Sequence, residues 1–182
     1  MPRDPFVELK GRLSALCRSI GGELYIFMKE GDVNFSCYGA KEAEISIVKE
    51  LGNILSDLAK RRRGYFFITG EIEAPAIGRF KDASIELEVV GRTGLVSAGY
   101  VNVRADFPED LLGKKDILDM VGSDICSIRK SSGREEYWQL YCENLIDEYE
   151  GDILKAFADI SDTMARMSSE FVKISERTVI EI

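Results

Sequence analysis

The residues of this chain best suited to chemistry are a run of cations. Lys60, Arg61, Arg62 and Arg63 stand together, and Tyr65, Phe66 and Phe67 follow after one glycine. Clustered cations grip phosphates and neighbouring aromatics stack on bases, so this run is a candidate nucleic-acid contact. Arg79, Lys81, Lys114, Lys115, Arg129, Lys130 and Arg134 would extend it if the fold brings them together. The competing reading is structural. Cations at a helix C-terminus favour the helix dipole, and aromatics beside them fill a sheet.

Glu143, Asp147 and Glu150 are spaced three and four apart. On a helix they share one face, where carboxylates hold Mg²⁺ or Mn²⁺. One solvated helix face explains the same spacing. Asp32-Val33-Asn34 starts like a calcium loop but lacks its glycine and closing glutamate, so a hairpin turn is the better reading. Gly91 and Gly94 lack the residues of a phosphate loop or a dinucleotide fingerprint. Ser131 to Arg134 can hold an anion at a helix start, although Ser132 with Glu135 reads first as a capping box.

The chain contains no histidine, which excludes Ser-His-Asp and Cys-His catalysis within it and zinc sites built on imidazole. Any general base would be a carboxylate, Lys, Tyr or Cys. Cys17, Cys37, Cys126 and Cys142 form no C-x-x-C pair. Each has apolar neighbours, so reduced, buried thiols are expected, with Cys126 nearest to an activating arginine. No cofactor is implied.

These groups need a scaffold, and the chain is long enough to build one. Its 182 residues, 45% hydrophobic and 31% charged, form a globular balance able to bury a core. The net charge of -8 repels polyanions, so nucleic acid would have to find a local basic patch. No stretch reaches the length of a bilayer span, and the first residues lack the apolar core of a secretory signal. A cytoplasmic address, with no membrane partner, is the expectation.

Asp4-Pro5 starts a helix whose apolar positions run from Phe6 to Ile20, and Gly21-Gly22 ends it. A β-hairpin follows, from Leu24 to Cys37 around Lys29 to Asp32. A second helix opens at Gly39-Ala40, carries Ile47, Val48, Leu51, Ile54, Leu55 and Leu58, and ends at Gly64. Tyr65 to Ile68 is a strand, and a loop is expected within Gly70 to Asp82. Ser84 to Val90 alternates cleanly, Gly91 to Gly94 turns, and Leu95 to Ala105 returns with a bulge expected at Gly99. A short helix is expected over Leu111 to Val121, and Ile125 to Ile128 reads as a short strand or irregular.

From Ser132 the apolar residues fit a helical period of about 3.6. They are Trp138, Cys142, Leu145, Tyr149, Ile153, Ala156, Ile160, Met164, Met167, Phe171 and Ile174. Gly151 either sits inside this helix or divides it into a hairpin, with Asp152 capping the second half. Residues 178–182 end as a short strand or a tail. A helix of this length outruns a small globule, so Trp138, Tyr149, Ile160, Met164, Met167 and Phe171 are expected at a homodimer interface.

The sequence therefore specifies an α+β fold with an antiparallel or mixed sheet flanked by helices. The sheet domain is expected over 1–131 and a helical arm or hairpin over 132–182. The function expected is non-catalytic: an oligomeric binding protein with a regulatory, adaptor or assembly role. The alternatives are nucleic-acid association through Lys60 to Arg63 and a carboxylate-dependent metal enzyme.

Overall fold

The computed structural model describes residues 4–107, 124–130 and 138–180. The segments expected to hold the Leu111 to Val121 helix and the Ser131 to Glu135 cap and anion site lie outside the described residues.

Helix α1 spans Pro5–Ser19. Asp4 caps it by accepting from the Phe6 amide at 2.9 Å, and Pro5 opens its first turn. Strands β1 (Glu23–Lys29) and β2 (Asp32–Tyr38) form the expected hairpin. Glu30 and Gly31, at φ 52° and 94°, make its two-residue turn.

Helix α2 spans Ser46–Arg61 and starts later than the sequence suggests. The backbone from Gly39 to Ala43 pairs instead with the end of the next strand. Gly39 donates to Glu73 O at 2.7 Å and Ala43 to Ala76 O at 2.8 Å. With those groups engaged, the helix cannot begin before them.

Strand β3 spans Tyr65–Ile77 and β4 spans Phe80–Arg92. The loop expected within Gly70 to Asp82 shrinks to Gly78-Arg79. Pro75 is tolerated because β2 pairs with β3 only as far as Tyr38–Glu73, so the missing N–H lies beyond that ladder. Strand β5 (Leu95–Asp106) returns from a turn at Thr93-Gly94. The bulge is not at Gly99, which pairs with Val89. Ser97 is the extra residue, since Val90 pairs with Ala98 and Gly91 with Val96. Gly99 answers a different need: a Cβ there would meet Glu88 O at 2.3 Å.

The largest departure follows. Strand β6 spans Cys126–Lys130 and strand β7 spans Trp138–Leu145. The helix expected from Ser132 is therefore a strand through Trp138 and Cys142. Leu140, Cys142, Asn144 and Ile146 are buried in alternation, a period of two that the helical spacing concealed. A short 3-10 turn spans Ile146–Tyr149. Glu150 and Gly151 then take left-handed φ of 56° and 81°, and helix α3 spans Ile153–Ile180. Asp152 caps α3 as expected, accepting from the Lys155 amide at 3.1 Å.

Among the described residues the strands form one seven-stranded mixed sheet, ordered β1-β2-β3-β4-β5-β7-β6. Only β2 and β3 run parallel, joined through α2. Because β7 lies between β5 and β6, the sheet crosses the boundary expected at 131/132. The fold is α+β with a long C-terminal helix.

The three α-helices among the described residues pack on one face of this sheet. Phe35, Phe66, Ile68, Ile85, Val103 and Leu140 are buried there. Gly52 lets α3 approach α2, since a Cβ would meet Phe157 Cβ at 2.7 Å. Phe80, Phe107 and Phe171 meet edge to face, with the last two centroids 4.7 Å apart.

The cysteines are corrected as well. Cys17 of α1 is bonded to Cys37 of β2, and Cys126 of β6 to Cys142 of β7. Each thiol has the apolar surroundings that the sequence suggests, but its partner is distant in sequence and comes from tertiary packing. Cys126 and Cys142 are directly paired in the ladder.

Candidate functional site

With the helices on one face, no described helix covers the other. Alternate residues of every strand reach it. Glutamates occupy its centre because β3 and β4 each place two of them at a spacing of two: Glu71 and Glu73, Glu86 and Glu88. Register joins these into rows. Glu71 stands opposite Glu86, Glu86 opposite Asn102, and Asn102 opposite Glu143. The next row runs Glu73, Ser84, Arg104, Tyr141. Paired residues stand about 5 Å apart, so the carboxylates feel one another. Glu71 has its pKa raised by a hydrogen bond to Glu73, by partial burial, and by the charges of Glu73 and Glu86.

Aromatic side chains surround this acidic centre. Tyr25 and Phe27 of β1 are 60% and 62% exposed, and Tyr65 of β3 is also exposed. Phe27, Tyr65, Phe67, Asn34 and Thr69 line a shallow depression of about 380 Å³. On the opposite side, Tyr141 lies under Arg129, whose guanidinium is 4.7 Å from the ring centroid, and beside Arg104 at 5.8 Å. Its pKa is pushed up to about 12 by burial and by its hydrogen bond to Glu143. The Tyr100 pKa is also raised, by burial and then by Glu88, Glu86 and Glu143.

The expected site residues fall elsewhere. Lys60 and Arg63 are exposed, but their neighbours have partners within the chain. Arg61 pairs with Glu8. Arg62 stacks on Phe6 at 4.7 Å and donates to Tyr65 O at 3.3 Å. Arg129 belongs to the uncovered sheet face, so it does not extend this run. Lys81 pairs with Glu42 at 3.7 Å.

Glu143, Asp147 and Glu150 do not share a helix face. Glu143 accepts from Tyr141 on the sheet, Asp147 accepts from the Gly99 amide at 3.1 Å, and Glu150 lies past the 3-10 turn. Among the described residues no group of three or more acids or cysteines is arranged to hold a metal ion.

The expected interface stripe is interior. Ile160, Met164 and Phe171 are 0% exposed and Met167 4%, all within the single chain. Trp138 and Tyr149 are half-buried against the same core. Ile160, Met164, Met167 and Phe171 therefore offer no surface to a second chain, because they face the sheet. The carboxylate face was missed by sequence reasoning. Its signal was the alternation of Glu86 with Glu88, legible as a wet face of one strand, while Glu71 and Glu73 fall in the stretch where a loop is expected.

The fold and this face define the chain as an α+β protein whose described helices lie on one side of the sheet. No family model, curated protein or solved structure matches it.

Proposed function

We propose that this chain is a non-catalytic binding protein whose carboxylate-bearing sheet face, which no described helix covers, receives a Lys- and Arg-bearing surface of a partner protein. One observation carries the reading. Glu71 and Glu86 stand directly opposite on neighbouring strands, an arrangement that costs stability, on a face flanked on its β1 side by the exposed aromatics Tyr25, Phe27 and Tyr65. A cationic partner relieves that repulsion, and the aromatics supply contact area.

The location of the protein belongs to the same reading. No described helix is long and apolar enough to cross a membrane. Two cysteine bridges favour an oxidising compartment over the reducing cytosol expected from the sequence, an oxidised interior of the hyperthermophile type being the other setting.

The test uses two variants of equal charge. Glu71→Gln with Glu86→Gln changes the sheet face, and Glu44→Gln with Glu50→Gln changes the helical side. Calorimetric titration with an oligolysine peptide should show weaker binding for the first pair alone. Equal weakening by both pairs would mean that net charge, not this face, attracts the probe.

A further inference from the structure

The sheet has two edges, and they are built differently. Strand β6 is short and carries the exposed Arg129, which discourages pairing. Strand β1 is Glu-Leu-Tyr-Ile-Phe-Met-Lys, with its charges only at the two ends. Its outer edge pairs with no described strand. Tyr25, Phe27 and Met28 are exposed along it. It has no proline, no bulge and no internal charge, the usual devices that protect an edge.

We infer that β1 pairs antiparallel with β1 of a second copy about a two-fold axis at Ile26, continuing the sheet from one chain into the next. Backbone geometry permits this register. Lys29 and Asp32 flank a two-residue turn, so they form a hydrogen-bonded pair and the amide and carbonyl of Lys29 point toward β2. By alternation the backbone groups of Leu24, Ile26 and Met28 point outward. About Ile26, Leu24 meets Met28 of the second copy and Ile26 meets its own equivalent, each pair exchanging backbone hydrogen bonds.

Side chains select this register over its neighbours. It sets Glu23 against Lys29 at both ends and Tyr25 against Phe27 on the uncovered face. On the core face it sets Leu24 against Met28. A shift of the axis by one residue keeps the backbone parity but sets Glu23 against Phe27, or Lys29 against Tyr25. The strand is thus complementary to itself in charge and in shape, as a two-fold interface requires.

This inference goes beyond the binding reading and does not rest on it, since it uses the edge of the sheet and not the acidic centre. Its test is charge exchange at Glu23 and Lys29, both exposed. Sedimentation equilibrium at low salt should give a dimer for the parent chain. Glu23→Lys alone and Lys29→Glu alone should each raise the dimer dissociation constant by about tenfold. The double variant should restore it, and mixing the two single variants should yield a heterodimer. Amides of Leu24, Ile26 and Met28 should become protected from hydrogen exchange as concentration rises. A monomeric parent, or a dimer indifferent to both single exchanges, overturns the inference.

Discussion

Glu71 on β3 and Glu86 on β4 are cross-strand partners, and Glu73 is hydrogen-bonded to the first of them. Glu71 therefore ionises less readily in the folded chain than in the unfolded one. A raised carboxyl pKa favours the fold at low pH, and this contribution is lost as pH rises from the ordinary value of 4.5 through the raised one. Glu71→Gln should accordingly stabilise the chain by about 0.2–1 kcal/mol at neutral pH. The gain should vanish below the ordinary carboxyl range. Urea unfolding of parent and variant across acidic and neutral pH measures it, and a gain independent of pH would contradict the assignment.

Tyr149 behaves in the same sense at alkaline pH. Burial pushes its pKa up to about 12, helped by a hydrogen bond to Asp159 and that residue's charge. The stability it contributes is present below about pH 10 and is lost as pH climbs toward about 12. Asn144, itself buried, donates to Ala156 O at 2.7 Å and ties β7 to α3 beside it. Tyr149→Phe should cost about 1 kcal/mol near neutral pH and remove one late-titrating phenol from the ultraviolet titration. An unchanged alkaline titration would show that the hydroxyl is free.

Where local chemistry determines structure, the sequence was legible. Asp4-Pro5 starts α1, Glu30-Gly31 turns the first hairpin, and the alternation of Ile85, Leu87 and Val89 marks β4. Segments shaped by distant partners were not. Trp138, Cys142, Leu145 and Tyr149 fit a helical period, but the free ladder of β5 recruits residues 138–145 as a strand. The buried set of Leu140, Cys142 and Asn144 then falls at a spacing of two. Cys37 looks like any buried thiol until α1 delivers Cys17 to it. The carboxylate face was hidden for the same reason: only register brings Glu71 and Glu86 together.

Phe35 of β2 lies across Gly70 of β3, its partner in the parallel ladder. A Cβ at Gly70 would sit 2.2 Å from the ring, so the glycine is the space that the ring occupies. Gly70→Ala should cost about 1–3 kcal/mol through overpacking. Phe35→Leu in the same chain should recover part of that loss, with a coupling of at least about 0.5 kcal/mol in a double-mutant cycle. Strict additivity of the two changes would place the ring elsewhere.

Cys17–Cys37 closes a sequence separation of 20 and Cys126–Cys142 one of 16. The first fastens α1 to the sheet beside β1, and the second joins β6 to β7 at the opposite edge. Loops of this size restrict the unfolded chain enough to add about 3 kcal/mol per bridge. Replacing either pair by serine should lower the unfolding free energy by about that amount in the absence of reductant. The two losses should be nearly additive, because the bridges share no partners. Reductant should lower the denaturant midpoint of the parent and leave a variant lacking all four cysteines unmoved. Alkylation provides the check on the premise: the native chain, unfolded without reductant, should take up no label. Full labelling under those conditions would return the cysteines to free thiols and remove the argument for an oxidising environment.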